Sequence, residues 1–432
     1  MQRVSEAKGT LTGKFAVANV IGLKGDFAVH SERGTVIFLN AEGQRILSEN
    51  DILCLPLEQG TFHLNDVTVG IGFHWERRED ETFEGRLRFI AQEGRTITAV
   101  NEINLESYLK SVISSEMSAD APVEFLRAHA IVSRSWLTAL LEHRLATKSG
   151  LAPTVETNQN ANDVLRWYGR EDHDVFDVCA DDHCQRYQGI SKIINPSAGK
   201  AVESTRGIVL ASDGTICDAR YSKACGGLTE DFENVWDDHT VAYLRTISDS
   251  ATKHKPIRSE RDAERWIDSQ PEAYCNTSDE NILRRILPSI DQETKNFYRW
   301  KVEYSREELE GLIKTKSGTD VGELVDLVPL SRGASGRIIK LKIVGTARTI
   351  TVGKELEIRK WLSKSHLYSS AFVVTKELGA DGKPARFILK GAGWGHGVGM
   401  CQIGAAVMAS KGISAEDILK HYFTDAELTK LY

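Results

Sequence analysis

The stretch Gly391-Ala392-Gly393-Trp394-Gly395-His396-Gly397-Val398-Gly399 constrains the fold of this 432-residue chain more than any other segment. Five of its nine residues are glycine, and they surround one tryptophan and one histidine. This density predicts backbone positions with positive φ, or a surface that another group approaches closely. The Ala-rich stretch that follows predicts a helix from Gly404 to Lys411, ended by Gly412. We therefore expect a glycine loop that carries His396 into a helix N-terminus.

This loop does not have the pattern of a nucleotide-binding loop. No Lys-Ser/Thr pair follows the glycines, and no acidic residue stands about 20 positions further on in a βαβ setting. A simpler interpretation is a tight turn that allows a strand to pack on a helix.

Composition narrows the class of protein. Charged residues make up 27% and hydrophobic residues 41% of the chain, which is ordinary for a globular protein large enough for more than one lobe. The net charge of −7 argues against general nucleic-acid binding. No run of 18 apolar residues is present, so we expect no membrane span. The seven cysteines are an odd number, so at least one is free or binds a metal.

Hydrophobic patterning predicts an α+β fold. Residues 10–100 alternate apolar and polar side chains between glycine turns, as in Thr35–Leu39, Thr68–Phe73 and Thr96–Asn101. A further β-hairpin is expected at 337–358, and Ser414 with Asp417 predicts the capped start of a final helix. We predict a β-rich N-terminal region (1–95), a mixed α/β core (96–254 and 296–432) and a helical insertion (255–295).

A second motif lies in residues 105–141. It places Glu116 just after an apolar helix face, and Arg134 inside Ala130-Ile-Val-Ser-Arg-Ser-Trp-Leu137. Together with the glycine loop, this segment resembles the SpoIID/LytB family of sporulation-type peptidoglycan lytic transglycosylases and their relatives, the amidase enhancers. The resemblance covers roughly residues 95–250 and 295–432.

Glu116 is the candidate general acid. A carboxylate next to an apolar helix face is expected to be partly desolvated, which raises its pKa and suits proton donation. The alternative is a solvated glutamate at a helix end. The resemblance places the catalytic glutamate of the family on Glu116. Glu106 and Glu124 flank it and are expected to be exposed, so that no second acid stands out.

Two further catalytic candidates are Arg134 and His396. Arg134 lies in an apolar stretch, so one interpretation is that it forms a structural ion pair. The resemblance implies instead that Arg134 lines the active site and holds Glu116 or a substrate oxygen. His396 could be a buried, hydrogen-bonded imidazole. Its glycine neighbours leave room for a sugar ring, and Trp394 offers a stacking face. The family pattern Gly-His-Gly-Val-Gly-Met-Ser-Gln-Tyr-Gly-Ala differs here at Cys401 and Ile403.

The segment from Tyr221 to Trp236 resembles a third family motif, Ser-Gly-Gly-x-Thr-Glu, with Cys225 in place of its serine. Glu230 is our candidate to stabilise the oxocarbenium-like transition state. If both motifs border one groove, Cys225 and Cys401 lie near each other; the alternative is two unrelated buried thiols. We expect Glu116, Arg134, His396 and the Cys225–Thr229 turn to line one groove. The expected substrate-binding residues are Tyr221, Ser222, Cys225, Gly226, Gly227, Thr229, Trp394, Gly395, Gly397 and Gln402.

A metal-ligand pattern occurs at His173, Cys179, His183 and Cys184. Two histidines and two cysteines fit a closed, tetrahedral Zn²⁺ site that is structural or orients the active site. The alternative is a Cys179–Cys184 disulfide in an exported protein. Some members of the family that the chain resembles bind zinc through a similar set, although the spacing here is one residue shorter between Cys179 and His183.

The resemblance implies cleavage of the bond between N-acetylmuramic acid and N-acetylglucosamine by one carboxylate, which leaves 1,6-anhydro ends on peptidoglycan strands. One alternative is a non-catalytic glycan-binding protein that assists a cell-wall amidase. Another is a zinc amidase that uses His173, His183 and His396, although thiolate ligands argue against an open hydrolytic site. Cell-wall chemistry requires export, so we expect an extracytoplasmic protein whose signal peptide is missing from this sequence.

Overall fold

The computed structural model describes residues 3–73, 75–148, 158–159, 163–167, 173–289, 291–294 and 296–432. The chain forms two compact units. Unit 1 contains Met1–Asp120 and His173–Arg206, and unit 2 contains Ala121–Asp172 and Gly207–Tyr432. Within the described residues, no helix is both long and apolar enough to cross a membrane.

In the part of the chain that the structure describes, the helices and strands follow one another in an order that places nine strands before the first α-helix and the other strands between or after the helices. They are β1 (Glu6–Val17), β2 (Val20–Glu32), β3 (Thr35–Asn40), β4 (Arg45–Glu49), β5 (Asp51–Pro56), β6 (Thr61–Val69), β7 (Arg77–Glu84), β8 (Arg86–Gln92), β9 (Thr96–Glu102), α1 (Leu105–Glu116), α2 (Val123–Lys148), β10 (Asn158–Gln159), β11 (Asp163–Leu165), α3 (Ser197–Ser204), β12 (Ile208–Ser212), β13 (Thr215–Ile216), β14 (Tyr221–Ser222), α4 (Glu260–Asp268), α5 (Glu280–Ile286), β15 (Arg299–Ser305), α6 (Arg306–Ser317), β16 (Leu324–Arg332), β17 (Ile338–Gly345), β18 (Thr349–Gly353), α7 (Glu355–Trp361), β19 (Phe372–Leu378), β20 (Pro384–Ala392), β21 (Met400–Cys401), α8 (Gln402–Ser410), α9 (Ala415–Tyr422) and β22 (Glu427–Lys430).

Unit 1 is built on an antiparallel sheet with the order β4-β3-β2-β1-β5-β8-β9, and β6 pairs with both β1 and β7. Alternate side chains of these strands turn inward, so that phenylalanines fill the core. Phe27 stacks on Phe38 with ring centroids 5.3 Å apart, and Phe62 stacks on Phe83 at 5.2 Å. Helix α1 begins after Asn104, whose side chain accepts a hydrogen bond from the Ser107 N–H.

Unit 2 contains smaller sheets with the strand orders β10-β11-β18-β17-β16, β13-β12-β22, β14-β21 and β15-β20-β19. One of its hydrophobic cores packs α6 and α7 against β15 to β20. Helix α6 begins with a capping box of Ser305 and Glu308 and ends at Gly318, which has φ of 71°.

The structure confirms the α+β class and the β-rich N-terminal region. Helix α8 lies within two residues of its expected range, and Ser414 caps α9 as expected. One expected strand was wrong, because β6 ends at Val69 and the chain turns through residues 70–73. Residues 255–295 contain α4 and α5. The predicted domain limits stay predictions.

Candidate functional site

The two glycine-containing motifs of unit 2 pair with each other along their length. Strand β14 runs parallel to β21, so that Tyr221 lies opposite Met400. Ala224 and Trp394 exchange backbone hydrogen bonds of 3.1 and 2.7 Å. Further along, the Glu230 N–H donates to a carbonyl of the loop at 2.9 Å. The tertiary structure thus joins residues 221–230 to residues 393–401.

Close packing explains two glycines of this loop. A Cβ atom at Gly393 would lie 2.7 Å from the Ala224 carbonyl oxygen, and one at Gly397 would lie 2.3 Å from the Arg337 Cζ. Both residues have positive φ, of 76° and 79°. At these positions glycine therefore gives the backbone the conformation and the space that its neighbours require.

The side chain of Arg337 contacts both glycine-containing motifs, a role that the sequence did not indicate. Its guanidinium is buried and donates hydrogen bonds to the Gly395 carbonyl at 3.1 Å, the Cys225 carbonyl at 3.2 Å and the Ser335 Oγ at 3.0 Å. Arg337 therefore links the two motifs through hydrogen bonds to the backbone of each. An arginine that follows Gly-Ala-Ser-Gly in a turn carries no sequence signal of such a role.

Glu230 lies at the same junction and is fully buried. Its carboxylate accepts hydrogen bonds from the Ser335 Oγ at 2.6 Å, the Asn234 amide at 2.8 Å and the Asp231 N–H at 2.9 Å. Burial raises the pKa of Glu230, and these hydrogen bonds together with Arg337 oppose the rise. This environment suits a group that positions the loop. Its predicted role in stabilising the transition state stays a prediction.

His396 is half-buried at the tip of the loop. Its Nδ1 accepts a hydrogen bond from the Val398 N–H at 3.0 Å, which places the proton of the neutral ring on Nε2. The ring meets Trp236 edge to face at 5.2 Å, and the Arg220 guanidinium covers Trp236 at 4.1 Å. Burial, followed by the charges of Arg220 and Arg337, holds the pKa of His396 well below its usual range. His396 is therefore neutral at neutral pH and suits hydrogen bonding better than charge stabilisation.

The predicted substrate-binding residues divide by exposure. Tyr221, Trp394 and Gly395 are half-buried, like His396, so that a ligand can reach them. Trp394 also packs on Tyr368 at 4.5 Å, which fixes its ring. The other members are buried: Ser222, Cys225, Gly226, Gly227, Thr229, Gly397 and Gln402. Their role in binding stays a prediction.

Two of the buried members have identifiable internal partners. The Thr229 Oγ1 donates to the Arg245 carbonyl at 3.0 Å and accepts from the Ile247 N–H at 2.8 Å. The Gln402 amide lies 3.1 Å from Nε2 of His129, a buried histidine of α2 that the sequence analysis missed. Burial, assisted by Lys223, lowers the pKa of His129 to about 3.

Arg134 is also buried, in the middle of α2. Its Nη1 donates to the Ile208 carbonyl at 2.9 Å, and the next residue, Ser135, accepts from the Leu210 N–H at 2.8 Å. These contacts fasten α2 to β12. That Arg134 lines an active site, and that it shares one groove with Glu116 and His396, both stay predictions.

Glu116 is the last residue of α1, in unit 1. Its side chain is buried, with 7% of the residue exposed, and its Oε1 accepts a hydrogen bond from the Arg186 N–H at 3.0 Å.

The expectation that Glu106 is exposed was wrong: only 5% of this residue is exposed, in the first turn of α1. Glu124 is half-buried and accepts from the Ala415 N–H at 2.8 Å.

The four predicted metal ligands converge in unit 1. Their ligand atoms all lie within 4.8 Å of one another, and we call His173, Cys179, His183 and Cys184 the histidine–cysteine set. The His173 Nε2 lies 3.3 Å and the His183 Nδ1 3.4 Å from the Cys184 Sγ. A turn closed by the Cys184 N–H and the Asp181 carbonyl, at 2.9 Å, allows adjacent residues to face one point. The set could hold one metal ion in four-coordination.

This set stands immediately before the residues that contact α1. The Gln185 side chain accepts from the Tyr108 hydroxyl at 3.2 Å, and the Gln188 N–H donates to the Ser111 Oγ at 3.2 Å. The Arg186 N–H that holds Glu116 lies between them. An ion bound to the histidine–cysteine set would therefore order the backbone that orients this carboxylate.

Two family profiles match the chain. The profile described as Stage II sporulation protein (SpoIID) matches residues 93–211, and one described as a domain of unknown function (DUF8618) matches residues 230–399. The first range includes Glu116, Arg134 and the histidine–cysteine set.

Similar proteins span most of the chain. An uncharacterized protein of Brachyspira hyodysenteriae is 27% identical over 346 residues, which are 80% of this chain and 72% of that protein. The amidase enhancer of Bacillus subtilis (strain 168) is 27% identical over 333 residues, 74% of this chain but 40% of that protein. Stage II sporulation protein D of Bacillus amyloliquefaciens is 23% identical over 332 residues, 77% of this chain and 76% of that protein.

Proposed function

Because this chain belongs to the SpoIID family, we propose that it is a peptidoglycan lytic transglycosylase with Glu116 as its single general acid and base. Its similarity to a sporulation protein and an amidase enhancer supports a role at the cell wall. The observation that carries the proposal is Glu116 itself: a buried carboxylate at a helix end, held by a backbone N–H that follows a four-residue metal-ligand set.

The reaction needs one proton carrier. Glu116 donates its proton to the glycosidic oxygen between N-acetylmuramic acid and N-acetylglucosamine, and the C1–O bond breaks as the N-acetylglucosamine hydroxyl leaves. The Glu116 carboxylate then accepts the proton of the muramyl C6 hydroxyl, whose oxygen closes on C1. The product is a 1,6-anhydro ring, no water is consumed, and the carboxyl group regains its proton. The use of one carboxylate as both acid and base distinguishes this mechanism from that of most glycoside hydrolases, which use two carboxylates.

The residues of unit 2 have supporting roles in this proposal. The half-buried Tyr221, Trp394 and His396 bind sugar rings by stacking and hydrogen bonding, because a ligand can reach them. Arg134 and Glu230 act as positioning residues, since both are buried and hydrogen-bonded within unit 2.

We propose Zn²⁺ for the histidine–cysteine set, because two imidazoles and two thiolates are its preferred ligands. With four protein ligands the ion has no open position for water, and its contribution is to order residues 184–188. A zinc amidase is disfavoured for the same reason. The substrate lies outside the cytoplasmic membrane, so an extracytoplasmic location belongs to the proposal.

The second candidate is a glycan-binding protein that assists a cell-wall amidase without cutting strands. The similarity to an amidase enhancer favours it, although the chain spans 40% of that protein. A cell-wall amidase is then the partner. This candidate needs the half-buried Tyr221, Trp394 and His396 but tolerates the loss of Glu116.

The test compares the wild type with Glu116→Gln on purified glycan strands, with mass spectrometry of 1,6-anhydro-muramyl ends. Glu142→Gln, at an exposed position of α2, is the matched control. We expect Glu116→Gln to bind strands and to lose cleavage by about 10²–10⁴-fold or more, as for the loss of a general acid. Near wild-type turnover in Glu116→Gln would refute the single-acid mechanism. Strand binding without anhydro ends in the wild type would favour the second candidate.

A further inference from the structure

We propose that Cys225, Asp249, Cys275 and Cys401 form a second metal site, which binds one soft divalent ion of the Zn²⁺ type within unit 2. We call these residues the cysteine–aspartate cluster. The site is separate from the histidine–cysteine set and independent of the proposed catalytic activity. The family pattern carries serine where this chain has Cys225 and Cys401, so the resemblance does not imply this site.

The geometry fits a single ion. The four ligand atoms lie within 4.8 Å of one another, and all four residues are buried. The Cys225 and Cys275 sulfurs are 3.8 Å apart. Two sulfurs of a tetrahedral zinc site with bonds of about 2.3 Å are separated by about 3.8 Å. A disulfide would use only two of the three cysteines, and an iron–sulfur cluster would hold its cysteine sulfurs farther apart.

Hydrogen-bond donors already surround the ligand atoms. The Cys401 Sγ accepts from the backbone N–H of Cys225 at 3.2 Å and of Gly404 at 3.4 Å. The Cys225 Sγ accepts from the Gly227 N–H at 3.3 Å. Such donors stabilise thiolates and orient them toward a metal. Thiols that merely fill an apolar core do not need them.

A group of thiols that only fills an apolar core would not explain why the carboxylate of Asp249 is buried beside it. Asp249 is 0% exposed, and no ion pair includes it in the part of the chain that the structure describes. One carboxylate oxygen accepts from the Tyr422 hydroxyl at 2.5 Å, and the other from the Cys275 N–H at 2.9 Å. A buried carboxylate is costly without a compensating cation, and a bound ion among the thiolates would supply one.

The backbone beside Asp249 is shaped for its carboxylate. A Cβ atom at Gly404 would lie 2.2 Å from the Asp249 Oδ1 and 2.5 Å from the Tyr422 hydroxyl. Glycine at this position of α8 therefore permits the approach of Asp249 to the helix N-terminus, where Cys401 is the N-cap residue. The ligand atoms of Asp249 and Cys401 thus lie within 4.8 Å of each other.

The ion would act as a structural clamp. The ligands come from four separate segments: the Gly226–Gly227 turn, the loop at 249, the segment after α4, and the start of α8. The same ligands join the two motifs that surround His396, so that metal binding contributes to the stability of the loop. A full shell of four protein ligands supports a structural role.

The experiment measures metal content in protein prepared with zinc, by elemental analysis for zinc, iron and copper. In the background of Cys179→Ser with Cys184→Ser, which disables the histidine–cysteine set, we expect one zinc per chain. Adding Cys275→Ser or Asp249→Asn removes that zinc. Adding Cys217→Ser, a buried cysteine of unit 2 outside the cluster, leaves it bound.

Spectroscopy of the same background protein tests the site if Cys275→Ser does not fold. Replacement by Co²⁺ is expected to give the visible ligand-field bands and thiolate charge-transfer absorption of a tetrahedral, sulfur-rich site. Loss of zinc only with Cys217→Ser, or a Cys225–Cys275 disulfide by mass spectrometry, overturns the proposal. Metal-free background protein with three reactive cluster thiols and unchanged stability in excess zinc overturns it as well.

Discussion

Replacing Gly397 with alanine adds only one methyl group, yet we expect it to cause a large loss in the free energy of unfolding of unit 2. The residue has φ of 79°, where an L-residue costs about 1–2 kcal/mol. Its new Cβ would lie 2.3 Å from the Arg337 Cζ and 2.4 Å from its Nη1, so the buried guanidinium must move. Movement weakens hydrogen bonds to the Gly395 carbonyl, the Cys225 carbonyl and the Ser335 Oγ.

The expected magnitude follows from these contacts. A hydrogen bond from a charged donor contributes about 1.5–3 kcal/mol, so the loss of one or two of them costs about 2–5 kcal/mol. Together with the backbone cost, Gly397→Ala should lower the free energy of unfolding by about 3–7 kcal/mol, a large part of the usual 5–15 kcal/mol.

Gly412→Ala is the matched control. It has φ of 83°, but a Cβ there meets no atom within 4 Å, so it carries only the backbone cost of about 1–2 kcal/mol. Urea titrations followed by tryptophan fluorescence compare the two variants at one pH. Hydrogen exchange of residues 391–404 locates the effect.

Equal losses of stability in Gly397→Ala and Gly412→Ala would mean that the contact with Arg337 adds nothing to the backbone cost. A double-mutant cycle sharpens the test: in an Arg337→Ala background, the additional cost of Gly397→Ala should fall to the value for Gly412→Ala. Additive effects would mean that the crowding does not act through Arg337.

Two further predictions concern protons and metal. Burial is the main cause that lowers the pKa of His129 to about 3 in the folded chain. Below about pH 6.5, the unfolded chain therefore binds a proton at this histidine that the folded chain does not bind. The contribution of His129 to stability should therefore fall as the pH is lowered below 6.5, with a slope that approaches about 1.4 kcal/mol per pH unit near pH 4.5. We expect His129→Asn to flatten this slope in urea titrations, and parallel slopes would contradict the prediction. Removing metal from the histidine–cysteine set with a chelator should increase hydrogen exchange at the Arg186 amide and lower strand cleavage, as should Cys179→Ser. In a Cys275→Ser background, which disables the cysteine–aspartate cluster, elemental analysis without zinc, together with a Cys179–Cys184 disulfide, would rule this site out.

Local patterns in the sequence determined the parts of this protein that depend on near neighbours. Alternation over 10–100 predicted the β-rich region, because side chains of a strand face its two sides in turn. Ser414 with Asp417 marked the start of α9, because a cap is made within one turn. The histidine–cysteine set lies within 12 residues, and the turn from Asp181 to Cys184 lets its two adjacent members face one point.

Long-range packing sets which distant groups meet and which motif residues are buried, and local sequence patterns do not reveal it. Cys225, Asp249, Cys275 and Cys401 are spread over 177 positions without a metal-binding spacing, yet their ligand atoms share one point. The burial of Glu106 and the central place of Arg337 were equally hidden in the sequence. The reason is physical: periodicity tells which side of an element turns inward, whereas the packing of many elements at once sets what that side meets.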